Sequence, residues 1–339
     1  MTNIIVVVLN YKTPDLSVIA AQSAAKAMSS FEGVVLLVDN ASPDNSFEQM
    51  KQGVQAVDWP DHLDVQVLQS GRNGGFGAGN NFGIRAGLEL CPNAEFVYIL
   101  NPDAHVVDTS ISALVQHLDA RPKVAIAGSW ISGEDGADHC SAFRFPSLAS
   151  EFEAATRFGP VTRMLKKYVL PMHVPDATGQ VGWIVGASML VRTSVLTEIG
   201  LFDETFFLYF EETDLCLRAQ RAGHEVHFVR ESRVVHIGSA ATGMATWKRT
   251  PAYWYESRWY YYSKNYGRAY AIVATLLNVV GTSFWRIRRR IEGKPNTDAH
   301  RFIRDMIAHD VKAVFRPTPC ASVQSMTALP KAALQTSVD

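Results

Sequence analysis

Two adjacent glutamates, Glu211 and Glu212, follow directly on the aromatic run Phe206, Phe207, Tyr209 and Phe210. Neighbouring carboxylates repel, and apolar surroundings penalise their charged forms, so such a pair is costly to bury and invites a chemical explanation. A helix beginning near residue 211 places Glu212 on one face with Leu215, Cys216 and Ala219, the stripe that packs inward. Glu211 then aligns with Asp214 and Arg218, on a face where charge is solvated and paired. The helix dipole and free N–H groups keep a carboxylate at the amino end ionised while apolar neighbours raise its pKa, and both conditions suit a general base. The structural alternative is a capping carboxylate with no chemistry.

Other polar groups stand just behind apolar runs of strand length. Asp39 and Asn40 follow VVLLV, and Asn101 and Asp103 follow FVYIL. An open parallel sheet binds its ligand at the carboxyl ends of its strands, so two such loops side by side can hold a nucleotide and a metal. Each alone reads equally well as an Asx turn or a helix N-cap. The stretch GRNGGFGAGNNFGIRAG (71–87) starts like a dinucleotide fingerprint, but Asn80 stands where the third glycine is required and the segment follows the third strand, which excludes the dehydrogenase reading. A Gly-rich loop opening a helix still offers backbone N–H groups to phosphate or ribose. His236 closes the strand RVVH ahead of the small-residue loop IGSAATG. A lone histidine is more often structural, yet this position suits metal ligation or diphosphate contact. His139, His224 and His227 have no comparable setting and read as structural.

The elements that must position these groups are legible as a rhythm. IIVVVL (4–9), VVLLV (34–38), VQVL (65–68), FVYIL (96–100) and VAIAG (124–128) alternate with helical stretches near 15–30, 44–56, 78–90 and 108–120. Continuous apolar strands separated by helices indicate a parallel sheet covered on both faces. Residues 135–180 lose the rhythm and read as an irregular, partner-facing insertion. WIVGASMLVRTSVL (183–196) reads as a strand entering a short helix, and EVHFV and RVVHI as two short strands.

With 339 residues, 47% of them hydrophobic, the chain can bury one large core or two modest ones. Its four cysteines show no paired spacing and MTNIIVVVLN enters a strand without a basic leader, so a cytosolic, reducing setting is expected. Residues 247–316 carry fourteen Lys and Arg against five Asp and Glu. That excess suggests a basic region facing an anionic membrane or a polyphosphate, or else a solvated helical face; no nucleic-acid reader motif accompanies it. From about 250 the chain reads as helices. The apolar run AYAIVATLLNVVGTSFW is shorter than the ~20 residues of a membrane span and contains Asn278, Gly281, Thr282 and Ser283. It is expected to lie on protein or membrane surface, ending in Arg286, Arg288, Arg289 and Arg290. The bland alternative packs it on the catalytic domain or in a homodimer interface. The tail beyond 316 is expected to be disordered.

The segments VVVLNYKTPD, VDNASPDNS, NGGFGAGNNFGI, YILNPDA, GWIVGASMLVR, GLFDETFFLYFEETDLCLRAQRAG and VVHIGSAATG occur in this order between residues 4 and 243. In these the chain resembles family 2 glycosyltransferases of the GT-A fold, in particular the bacterial rhamnosyltransferase-like branch. The resemblance implies an α/β fold with a Rossmann-like mixed sheet flanked by helices. It places a catalytic domain over 1–245, with a donor half to about 130 and an acceptor half beyond, and a helical basic region over 246–316. It further implies inverting transfer of a sugar from a nucleotide-sugar donor to a glycan or lipid-linked acceptor, with Mg²⁺ or Mn²⁺ on the diphosphate; the basic carboxyl-terminal region is expected to hold the chain peripherally at the inner face of the cytoplasmic membrane.

Carried over, Asp39 would contact the nucleotide base beside Asn40, and Asn73, Gly74 and Asn80 would lie along the donor loop. Asn101 and Asp103 would face the diphosphate. Asp103 would bind the metal with His236 as a further metal or diphosphate ligand, and Glu212 would deprotonate the acceptor. The family's Asp-x-Asp is Asn101-Pro102-Asp103 here, one carboxylate fewer, and its Glu-Asp is Glu211-Glu212, one methylene longer. dTDP-L-rhamnose leads as donor on overall pattern, with UDP-galactofuranose and GDP-mannose as alternatives. A non-catalytic sugar-nucleotide-binding protein is the competing class. Nucleotidyl transfer lacks its Gly-rich basic signature near the amino end.

Overall fold

The computed structural model describes residues 1–237 and 247–323. Most of the loop after His236, and the tail beyond 323, lie outside them. The amino-terminal half alternates β1 (Asn3–Asn10), α1 (Pro14–Ala27), β2 (Glu32–Asp39), α2 (Ser46–Gln55), β3 (Leu63–Gln69), α3 (Phe76–Leu90), β4 (Phe96–Leu100), β5 (Ala104–Val106), α4 (Ser110–Asp119) and β6 (Val124–Ser132). Then come the short β7 (Asp138–His139) and β8 (Ala142–Phe143), α5 (Leu148–Thr156), α6 (Gly159–Met164), β9 (Gly179–Gln180) and β10 (Trp183–Ile184). β11 (Ser188–Arg192), α7 (Thr193–Ile199), α8 (Glu211–Arg221) and β12 (Glu225–His236) complete the sheet. Three helices close the chain: α9 (Ala252–Tyr266), α10 (Arg268–Ile291) and α11 (Phe302–Val314).

The main sheet runs β3-β2-β1-β4-β11-β6-β12-β5. β3, β2, β1 and β4 are parallel, as the apolar runs require. The parallel run read from the first half breaks at β4, because β11 from the second half enters antiparallel between β4 and β6 and makes the sheet mixed, as the resemblance implies. Its apolar MLV core fits that central, doubly covered slot as well as VAIAG does, and periodicity does not distinguish the two. The two strands expected at EVHFV and RVVHI are one strand, β12, irregular between Val229 and Arg233. The sheet is buried on both faces, Ile4, Val6 and Val8 packing on one side and Ile5, Val7 and Ile99 on the other.

Residues 135–180 are more ordered than their composition suggests. Ser147 caps α5 through a reciprocal box with Ser150, and α5 brings Glu151 under the carboxyl-terminal helices. There Arg258, 1% exposed, forks onto Glu151 at 3.1 and 2.9 Å, joined by Tyr262 at 2.9 Å and Asn278 at 2.8 Å. A second staple is Lys264, whose Nζ lies 2.8 Å from both Asp203 and Asp214, two fully buried carboxylates of the layer that includes α8. The helices also share an apolar core with that layer, through Phe206 and Leu217 against Trp259, Tyr260 and Tyr261.

Lys264→Met is expected to lower stability by about 3–5 kcal/mol, because it leaves buried Asp203 without its cation and Asp214 with Arg218 alone, 2.9 Å away. Burial raises the Asp203 pKa, but the hydrogen bond and charge of Lys264 outweigh it and hold the group below its ordinary value. A depressed carboxyl pKa contributes stability above the ordinary carboxylate range and loses it as pH falls. Chemical denaturation across acid pH therefore finds a shallower acid loss in Lys264→Met than in wild type.

Candidate functional site

β1, β2, β3 and β4 all end at one edge of the sheet, and so does β12, which is parallel to β6. That edge gathers the predicted polar groups. Asp39, fully buried, accepts from Asn10 Nδ2 at 2.9 Å and from the Ser42 N–H at 3.1 Å, with Gln69 at 3.4 Å. Asn40 donates to Asn73 Oδ1 at 3.1 Å and to the Gly75 carbonyl at 3.2 Å, so the β2 loop holds the Gly-rich loop directly. Asn73 and Gly74 lie on the accessible side of that loop. Asn80 is fully buried on α3, donating to the Phe76 carbonyl at 3.0 Å, while its Oδ1 has no partner among the described residues.

Gly75 is required where it stands. Its φ is +90°, and a Cβ there would lie 1.8 Å from the Phe207 carbonyl oxygen, which accepts the Phe76 N–H at 3.0 Å. The donor loop and the segment leading into α8 thus touch backbone to backbone. Gly75→Ala is expected to cost upward of about 1–3 kcal/mol from the forced left-handed conformation alone. It should also raise the donor KM, read by thermal melting beside steady-state kinetics.

Asp103 and His236 come together although 133 residues separate them, with His236 Nε2 3.0 Å from Asp103 Oδ1. The cause is β5, which turns back antiparallel onto the end of β12 and registers Ala104 against His236. Asn101 Nδ2 lies 3.5 Å from the same imidazole nitrogen, and its backbone N–H donates to the Ala187 carbonyl at 3.0 Å. A carboxylate, an imidazole and a carboxamide oxygen are ligand types that suit a divalent cation completing its shell with phosphate and water. No cluster of three or more His, Cys, Asp or Glu placed to hold a metal occurs among the described residues.

Glu211 and Glu212 open α8 as the sequence indicates, and Leu215, Cys216 and Ala219 are fully buried. The solvated face expected for Glu211 does not exist. Glu211 is 1% exposed beside Gly77 of α3, and Asp214 is fully buried under Lys264 and Asn265 of the carboxyl-terminal helices, while Glu212 is the half-buried member of the pair. A basic helical region packed on the catalytic layer was the element that wheel geometry alone did not supply. Burial, then the charge of Glu212, pushes the Glu211 carboxyl well above its usual range. Burial likewise raises Glu212 to about 7, opposed by the hydrogen bonds it accepts, one from the Gly186 backbone. Gly186 adjoins Ala187, so Glu212 and Asn101 are tied to the same loop.

The backbone feeding this pair is strained: Tyr209 and Phe210 both have positive φ, +69° and +70°. Such conformations cost about 1–3 kcal/mol each and persist only where the surroundings impose them. Here the surroundings are aromatic. Phe207 and Tyr209 lie 5.4 and 6.3 Å from Tyr253, and Trp247 lies 5.8 Å from Tyr209. The meeting of these rings is not visible in the sequence, although each aromatic run is. A depression of about 410 Å³ lined by Asn3, Glu32 and His62 lies at the opposite edge of the sheet, away from all these groups.

A mixed sheet of this order, flanked by helices and carrying its polar loops on one edge, is the architecture expected of a GT-A fold. Residues 2–261 match the family model described as Glycosyltransferase like family 2, and the chain belongs to that family. Over 222 residues it is 30% identical to the N-acetylglucosaminyl-diphospho-decaprenol L-rhamnosyltransferase of Mycobacterium tuberculosis, covering 62% of this chain and 68% of that protein. Rhamnosyltransferase WbbL of Escherichia coli K12 is 29% identical over 165 residues, 48% of this chain and 60% of that protein. Two solved structures share the fold. TarS 1–349 of S. aureus in complex with UDP-GlcNAc has a TM-score of 0.53 at 14% identity, covering 93% of this chain and 82% of that one. Mannosyltransferase PcManGT of Pyrobaculum calidifontis with GDP-Man and Mn²⁺ has a TM-score of 0.52 at 13% identity, covering 93% and 80%.

Proposed function

We propose that this glycosyltransferase moves L-rhamnose from dTDP-L-rhamnose, with inversion, to a hydroxyl of a lipid-linked glycan acceptor in bacterial cell-surface polysaccharide synthesis. The observation that carries the chemistry is Glu212, half-buried at the sheet's carboxyl edge with a raised pKa. Ionised Glu212 takes the proton of the acceptor hydroxyl as that oxygen attacks the anomeric carbon. The bond from that carbon to the diphosphate oxygen breaks, and its electron pair leaves with the nucleoside diphosphate. A single displacement needs no carboxylate nucleophile and inverts the centre, by analogy with inverting glycosidases.

Asp103 and His236 would hold a divalent cation, Mg²⁺ or Mn²⁺, which neutralises charge on the departing diphosphate. Asp39, Asn40, Asn73, Gly74, Asn80 and Asn101 would shape the donor cleft. Asp39 acts there through a loop it already orders, since both of its oxygens are engaged. The aromatic rings around Tyr253 would form the acceptor side. Rhamnose is favoured by the names of both relatives above, each a rhamnosyltransferase, and a decaprenyl-linked acceptor by the first of them; such an acceptor would hold the enzyme at the inner face of the cytoplasmic membrane.

A screen measuring released nucleotide with dTDP-L-rhamnose, UDP-galactofuranose and GDP-mannose, each with a polyprenyl-diphosphate-linked N-acetylglucosamine acceptor, tests the assignment. Acceptor-dependent release of dTDP is expected. Preference for either other donor would replace the sugar while leaving the transfer chemistry intact.

A further inference from the structure

The helix α10 spans 24 residues and is, among the described residues, the one helix long and apolar enough to cross a membrane. It is longer than the sequence suggested, because the arginine-rich segment continues it without a break. Its inner face nevertheless belongs to the protein. Asn278 holds Glu151 at 2.8 Å, Thr275 holds Asp310 at 2.5 Å, and a Cβ at Gly281 would lie 2.7 Å from that of Ala155. A spanning α10 would strip Glu151 and Asp310 of those partners, so the helix lies flat.

Its outer face is largely exposed. Val273, Leu276, Val280, Phe284, Ile287 and Ile291 are 40–81% exposed, and at 100° per residue they fall in one stripe, about 27 Å long. Two of the four arginines expected to supply the charge are engaged, Arg286 with Asp298 at 2.9 Å and Arg288 with Glu292 at 3.2 Å while stacking on Phe158, and Arg290 is exposed. Further cations come from a distant part of the chain. Phe158 packs on Phe284 with ring centroids 5.6 Å apart, which sets α6 beside the carboxyl half of α10. There Arg163, Met164, Lys166 and Lys167 are exposed, and residues 157–168 contain no acid.

We propose that this composite face, the α10 stripe with the basic α6 segment at its flank, is a docking surface for an anionic lipid bilayer. An exposed apolar stripe of this length marks an interaction site. Flanking cations suit lipid phosphate, and an amphipathic helix lying in the interface buries just such a face among headgroups. The inference deepens the lipid-linked acceptor reading and rests on it only for why the enzyme should meet a membrane; binding to plain vesicles is measured without donor or acceptor, so either idea can fail alone.

The test is sedimentation of the full chain with vesicles of phosphatidylglycerol and phosphatidylethanolamine, and with phosphatidylcholine alone, at low and high salt. Wild type is expected to pellet with the anionic vesicles and less so at high salt. Leu276→Ser/Val280→Ser/Ile287→Ser and, separately, Arg163→Gln/Lys166→Gln/Lys167→Gln should each lose about tenfold or more in partitioning, with unchanged melting temperatures. As a second measurement, Ser283→Cys in a Cys140→Ser/Cys320→Ser background carries an environment-sensitive dye, whose emission should shift blue on anionic vesicles. Wild type remaining in the supernatant at low salt, the apolar variant pelleting like wild type, or sedimentation equilibrium showing a wild-type dimer that the apolar variant breaks while neither binds vesicles, would overturn the proposal.

Discussion

Glu212→Gln is expected to lower the transfer rate by roughly 10²–10⁴-fold, the usual cost of losing a general base, while donor affinity stays at the wild-type value. The substitution keeps size and polarity and removes only the proton acceptor. The wild-type rate should rise with pH through about 7, where Glu212 ionises, and that limb should vanish from the residual activity of the variant. Stability is expected to move the other way. A carboxyl whose pKa is raised in the fold favours folding below its ordinary value of 4.5 and loses that contribution as pH rises. At neutral pH the buried pair is therefore a cost to the fold, and both Glu211→Gln and Glu212→Gln should melt no lower than wild type. Turnover, calorimetric donor titration and thermal melting of the two variants read all three effects. An inactive Glu211→Gln beside a normally active Glu212→Gln would reverse the assignment of roles.

Asp103→Ala should weaken metal-dependent donor binding by about tenfold or more, a loss typical for residues that support a metal site. With Asn101 in place of one carboxylate, Asp103 is the acid left in its loop, and His236 3.0 Å away is its partner. Two side chains make a weak site by themselves, so the metal is expected to bind appreciably only with the diphosphate. Titration of the donor in the presence of Mg²⁺ or Mn²⁺, and again with chelator, should show strong binding only with metal in the wild type and little difference between conditions in Asp103→Ala. Undiminished transfer in excess chelator would contradict a metal at this position.

The strands, their helices and the polar residues behind them were legible because each rests on local pattern: apolar runs of strand length, turn residues and a Gly-rich loop. The placement of β11 was not, since a central antiparallel strand and a central parallel one are equally apolar. The reading of Glu211 as solvated failed for a related reason. Helical spacing correctly buried Leu215, Cys216 and Ala219, but Glu211 packs beside Gly77 of α3 and Asp214 is held by Lys264 and Asn265, some fifty residues downstream, none of them visible to a helical wheel. The meeting of Asp103 with His236 depends on three residues of β5 turning back along the sheet, too short a strand to leave a periodic signal. Likewise Arg286 and Arg288 meet Asp298 and Phe158 only through the fold, whereas the Arg288–Glu292 pair is a local i,i+4 contact.

Single displacement by a carboxylate base is the claim on which the other assignments hang, and the anomeric configuration of the product tests it most directly. Transfer to a soluble analogue of the acceptor, followed by NMR of the purified product, reads the one-bond carbon–hydrogen coupling at the new linkage. Configuration opposite to that of the donor is expected. A product that retains the donor's configuration would contradict a mechanism in which Glu212 acts only as a base.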